Sequence, residues 1–314
     1  MKDSRAAVEP AAAVAVPEAV AALDVPDRPG GGRPALGPIA LVVASGLSVQ
    51  FGAAVAVLLM PKAGALGVVT LRLAAAAVVL LIVCRPKLRG HSRSDWGTVV
   101  AFGLAMGAMN TLFYLSLERI PLGAAVTLEV LGPLALSVVA SRRLVNLVWA
   151  ALALGGVALL SGGGFDRLDP VGAAYALAAG AMWAAYIVFS ARTGRRFPQA
   201  DGLALAMVVA AVLSLPLGIM EAGSKLVVPT TLGLGIAVAL LSSVLPYTLE
   251  LMALRRLPAP TFAILMSLEP AIAATAGFLI LDQALSSTDA LAIALVIGAS
   301  MGAVRSQGRR SRKR

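Results

Sequence analysis

RIPLGAAVTLEVLGP runs from Arg119 to Pro133, and RLPAPTFAILMSLEP runs from Arg256 to Pro270. Both open on arginine, an aliphatic residue and proline, and both close on a second proline twelve residues beyond the first. The same offset of 137 lays Leu112, Leu115 and Leu117 on Leu249, Met252 and Leu254. Each stretch also carries one carboxylate, Glu129 or Glu269, in the middle of an apolar run. Lipid offers a buried charge no water, and a charged side chain at a helix centre costs roughly 2.5–3.5 kcal/mol on insertion scales. A charge kept in each copy of a repeated apolar segment points to a membrane protein of two related halves with a polar interior.

Composition agrees. The chain has 314 residues, 59% of them hydrophobic and 13% charged, with a mean hydropathy of +0.89. Soluble domains carry roughly 25% charge. Ten runs have about the 17–25 residues needed to cross a hydrocarbon core of about 30 Å: 36–58, 65–84, 97–117, 121–140, 145–162, 170–190, 202–220, 231–253, 259–281 and 286–304. The expected fold is all-α, with ten transmembrane helices in two inverted five-helix repeats, 36–162 and 170–304. Five is odd, so the second half enters the membrane upside down relative to the first. Inverted repeats build carriers that alternate access to a site near the midplane.

Residues 1–34 are rich in Ala, Val and Pro and end on Gly30-Gly31-Gly32; they read as a disordered cytosolic tail. Residues 305–314 form a basic cytosolic C-terminal tail. Lys and Arg split 21 to 4 between alternate sides of the expected spans, with Arg72 inside a span. That asymmetry puts both termini in the cytosol and requires an even number of spans.

The net charge of +10 does not indicate nucleic acid, because the basic residues cluster at span ends. The lone Cys84 excludes an intrachain disulfide, and the lone His91 lies in a basic loop. No G-x-x-x-x-G-K-[ST] loop or H-E-x-x-H motif occurs, and no Ser-His or Ser-Lys pairing is evident within the spans. No cofactor, metal or enzymatic activity is expected, and the oligomeric state stays open.

Helical spacing gathers the polar residues into stripes. Gly103, Gly107, Asn110 and Tyr114 share one face of span 3, and Ser243, Tyr247 and Glu250 one face of span 8. Trp183, Tyr186 and Ser190 do so in span 6, as do Phe262, Met266 and Glu269 in span 9. Glu129 and Glu269 reach neither interface and are expected to line a translocation path with Asn110, Tyr114 and Tyr247. Arg72 either snorkels outward or binds cargo. Glu250 either pairs with Arg255 or Arg256 or meets cargo, and Trp183 and Tyr186 either pack or line the path. Pro133 and Pro270 leave carbonyls unpaired one turn upstream and are expected to kink their helices.

The stretches Met109–Ser116, Pro121-Leu122-Gly123, Leu128-Glu129, Gly132-Pro133-Leu134, Leu245–Glu250 and Leu265–Ala271 resemble EamA-type members of the drug/metabolite transporter superfamily. Within it they are most similar to the bacterial inner-membrane threonine/homoserine exporters. The resemblance spans 36–304. It implies export of small amino acids through the inner membrane, driven by protons, with lipid as the surrounding partner. The residues permit this independently. Glu129 or Glu269 can meet an ammonium group, and Arg72 is the intramembrane cation for a carboxylate. Another solute on the same scaffold, a drug included, is the alternative, and an enzyme acting on lipid is a remote one.

Overall fold

The computed structural model describes residues 36–141, 144–160, 168–197, 201–246, 249, 253 and 265–311. Every regular element among them is helical. The first, α1 (Leu36–Cys84), has 49 residues. At 1.5 Å per residue such a helix would be about 73 Å long, more than twice the hydrocarbon thickness. The helix is broken at Gly64, where φ is 69° and ψ is 169°. Pro61, three residues earlier, has already withdrawn one backbone donor. The two arms, 36–63 and 65–84, fold back on each other, since Gly52 of the first and Arg72 of the second both meet Ser242.

Glu221 closes this turn. Its carboxylate accepts the backbone N–H groups of Leu66 (2.7 Å) and Gly67 (3.0 Å), two of the donors left open at the start of the second arm. A side chain at position 64 would run into that carboxylate and would need a left-handed backbone, so glycine answers both demands.

The chain continues through α2 (Arg93–Leu117), α3 (Leu122–Glu129), α4 (Leu131–Ser141), α5 (Leu144–Leu160), α6 (Pro170–Gly194) and α7 (Asp201–Ala222). A short 3-10 turn leads to α8 (Pro229–Ala239), which runs on into a π-helical turn at Leu240–Val244. The last two helices are α9 (Glu269–Leu281) and α10 (Ser287–Ser311). By length and composition, four stretches suit a membrane crossing: Gly37–Cys84, Arg93–Leu117, Pro170–Gly194 and Asp201–Val227. Shorter apolar helices cover Leu122–Leu136, Pro229–Val244, Glu269–Leu281 and Ser287–Gly302. The N-terminal tail, Tyr247, Glu250, Arg255, Arg256, Pro258 and Phe262 lie outside the described residues.

Small residues set the packing, as expected where backbones approach without water to drive them together. Gly103 and Gly107 of α2 lie against Val209 and Ala210 of α7, so this G-x-x-x-G pair is a packing motif. Gly46 of the first arm meets Ile272 of α9, Gly123 of α3 meets Ala274 of α9, and Gly156 of α5 meets α10 at Ala292. The second arm docks on α7 through Thr70, whose hydroxyl donates to the Ser214 carbonyl at 2.7 Å. Helices α2 and α6 run antiparallel and are clasped at both ends. Asp95 pairs with Arg196 at 3.2 Å, and Arg119 with Asp169 at 2.9 Å.

Two prolines stand beside breaks in these helices. Pro133 has no N–H to give the Glu129 carbonyl, and the helix is interrupted at Val130 between α3 and α4. Gly180 of α6 packs directly over that carbonyl, where any side chain would collide with it. Pro270 sits in the first turn of α9, just after the turn at Ser267 and Leu268. Each break adjoins a glutamate set among apolar residues, Glu129 or Glu269.

Candidate functional site

Where these breaks face each other lies a cavity of about 150 Å³, on the order of five waters at ~30 Å³ each. Both arms of α1 wall it, together with α2, α3, α6, α7, the π-helical turn and the start of α9. Arg72, Asn110, Glu129, Trp183, Tyr186 and Glu269, six of the residues that the spacing singled out, all line it.

Arg72 is held inward. Its Nη1 donates to Asn110 Oδ1 at 2.8 Å and to Tyr114 Oη at 3.3 Å, while Nη2 donates to the Ser242 carbonyl at 3.2 Å. Asn110 is itself fixed by donating to the Met106 carbonyl at 2.9 Å. The guanidinium also stacks over the Tyr114 ring, 5.7 Å from its centroid. Tyr114 is fully buried and does not face the cavity, so it stands one layer behind, as a support for Arg72. Helical spacing had placed Tyr114 on the correct face and could not give its depth.

A guanidinium has five N–H donors. Three are engaged, and Nε is buried without a partner. Arg72 lines the cavity and brings to it a fixed positive charge of the kind that can face a carboxylate.

Glu129 reaches the cavity from the C-terminal end of α3, and Glu269 from the N-terminal end of α9. Glu269 is 8% exposed, and Glu129 is half-buried. Glu129 lies within range of the charges of both Glu269 and Arg72. Trp183, half-buried, and Tyr186, packed against Phe102 with centroids 5.1 Å apart, complete an aromatic wall from α6. Ser190, one turn further along α6, faces a separate and much smaller cavity near Thr193 and Phe197.

Residues 170–305 match the EamA-like transporter family. The threonine/homoserine exporter RhtA of Escherichia coli (strain K12) is 42% identical over 267 residues, covering 84% of this chain and 90% of that protein. This chain belongs to the EamA-like transporter family. RhtA of Salmonella typhimurium (strain LT2) matches equally, and the uncharacterized transporter YwfM of Bacillus subtilis (strain 168) is 28% identical over 211 residues, 64% of this chain and 71% of YwfM. A solved crystal structure covering 86% of this chain and 98% of its own superposes with a TM-score of 0.55 at 19% identity, a likeness of fold alone.

In this EamA-like transporter, three residues of the site escaped sequence reading. Gln50 lines the cavity at 3% exposure, and its side-chain oxygen has no hydrogen-bond partner. Ser242 contributes the carbonyl that anchors Arg72. Pro246 withholds one backbone donor beside that carbonyl. Residue 246 would donate to Ser242 in an α-helix and to Leu241 in a π-helical turn, and proline can do neither. Side chains take over instead: Ser48 donates to the Leu241 carbonyl at 2.6 Å and Arg72 to that of Ser242. A proline four residues after Ser242, itself next to the polar stripe that begins at Ser243, was the available signal.

Proposed function

We propose that this chain exports a small zwitterionic amino acid, threonine or homoserine, across the bacterial cytoplasmic membrane in exchange for protons. One observation carries the reading: a single small chamber among apolar helices is lined by one guanidinium, Arg72, and two carboxylates, Glu129 and Glu269. A zwitterion needs both signs of charge at close quarters. The guanidinium of Arg72 suits its carboxylate, and the glutamates suit its ammonium group. The identity to threonine/homoserine exporters supports this cargo. An apolar drug would bring no charge of its own to Arg72, Glu129 or Glu269 in a space of about 150 Å³.

In the cycle we envisage, the ammonium and a proton compete for the carboxylates. A proton arriving from outside releases the ammonium; its departure to the cytosol readies the site for the next cargo. Rocking of one five-helix half against the other exchanges the open side. The pattern of helix contacts supports two such halves in inverted orientation. Exchange each span with the one five places on, and the pairing of α2 with α6 becomes that of α8 with the first arm of α1. The α2–α7 contact likewise becomes that of α8 with the second arm, and α3–α6 becomes α9 with the first arm. The pairs α3–α9, α5–α10 and second arm–α7 map onto themselves.

Purified protein in liposomes tests the reading by counterflow of labelled threonine, with unlabelled amino acids and drugs as competitors. Threonine and homoserine are expected to exchange, and Glu129→Gln and Glu269→Gln to abolish acceleration by a pH gradient. Normal gradient-driven threonine export by both variants would overturn the carboxylate mechanism.

A further inference from the structure

We infer that Gln50 is the specificity-determining residue that reads the cargo's side-chain hydroxyl, separating hydroxyl-bearing amino acids from apolar ones of the same shape. This rests on the export function proposed above and extends it from the charged ends of the cargo to its side chain.

The argument starts from atoms in the chamber wall that have no partner. Three of its residues carry a buried side-chain polar atom without a hydrogen bond: Arg72 at Nε, Ser242 at its hydroxyl, and Gln50 at Oε1. Arg72 Nε belongs to the guanidinium, whose charge is matched to the cargo's carboxylate. The Ser242 hydroxyl is covered by the first arm of α1, packed over the backbone at Gly52. Gln50 Oε1 is left. The residue is 3% exposed and lines the cavity from the first arm, beside Val49 and Ala53.

A buried amide oxygen without a partner is unfavourable, and leucine or methionine would fill the same space without that cost. An amide retained there is matched to a molecule that enters with a polar group of its own. The ammonium and carboxylate of a zwitterion are already provided for by the glutamates and Arg72. The remaining polar group of threonine or homoserine is the hydroxyl. A hydroxyl both donates and accepts, so it satisfies either orientation of the Gln50 amide. A methyl group in the same place satisfies neither and leaves the amide buried and unpaired. Sites built around such a hydrogen bond reject the analogue that lacks it.

Valine is threonine with the hydroxyl replaced by methyl, and norvaline bears the same relation to homoserine. The test measures competition of unlabelled threonine, valine, homoserine and norvaline against labelled threonine in counterflow, for wild type and Gln50→Met. Wild type is expected to prefer each hydroxyl compound over its methyl partner by roughly tenfold or more, the scale of one net hydrogen bond. Gln50→Met is expected to bring both ratios close to one. Should Gln50→Met not transport, the same ratios are read in detergent from quenching of Trp183 fluorescence, in a Trp96→Phe, Trp149→Phe background. Wild-type ratios retained in Gln50→Met would overturn the assignment of Gln50 while leaving the exporter standing. A wild-type protein that exchanges no threonine would instead overturn the exporter reading, and the hydroxyl subsite with it.

Discussion

The guanidinium of Arg72 is useful because of what restrains it. Asn110, Tyr114 and the Ser242 carbonyl accept from its two terminal nitrogens and hold it at the chamber wall. Arg72→Lys keeps the charge and loses the planar fork, so threonine affinity is expected to fall about tenfold or more, with membrane insertion unchanged. Asn110→Ala removes the acceptor at 2.8 Å and frees the guanidinium to swing. Its expected signature is a several-fold rise in the threonine concentration needed for half-maximal counterflow, at wild-type yield of inserted protein. Equal loss of yield and transport would mark Asn110 as a packing residue.

At the scale of helices, proline placement decides which carbonyls are available. Pro246 withholds one donor from the pair at Leu241 and Ser242, whose carbonyls accept from Ser48 and Arg72. Pro246→Ala would restore a backbone donor that competes for them. The variant is expected to melt at a higher temperature in detergent and yet bind threonine more weakly, because Arg72 loses an anchor. The clasps at the ends of α2 and α6 have a pH signature. The bond from Arg119 and that from the Val171 N–H hold Asp169 below its ordinary value of 3.8. A depressed value means that the link contributes above the ordinary value and is lost as pH falls through the lower folded one. The melting-temperature difference between wild type and Asp169→Asn is therefore expected to be constant near neutrality and to shrink below about pH 3.8.

For the whole molecule, the 21-to-4 division of basic residues makes a prediction about sidedness. In a Cys84→Ser background, cysteines at Ser4 and Ser311 are expected to react with impermeant maleimide only from the cytosolic side. Cysteines at Lys62 and Lys225 are expected to react only from outside. Termini on opposite sides would rule out an even number of spans and the inverted halves with it. The repeat also bears on the site itself. With the offset of 137, Glu129 corresponds to Met266 and Glu269 to Gly132. The two acids are thus not copies of one residue, and the related breaks present their carboxylates from different turns.

By itself the sequence determined that the chain is apolar and helical, and which rare charges that oil must shelter. A single charged residue in lipid carries a cost large enough to be read locally, so Arg72, Glu129 and Glu269 stood out at once. Only the tertiary structure decided that Arg72 turns inward, that Tyr114 stands behind it, that Gln50 lines the chamber and that Pro246 bears on the turn beside it. Gln50 and Pro246 are neutral and unremarkable along the chain. The chamber is assembled by contacts far apart in sequence, such as the 170 positions between Arg72 and Ser242, and periodicity reports the face of a helix without reporting what lies across from it.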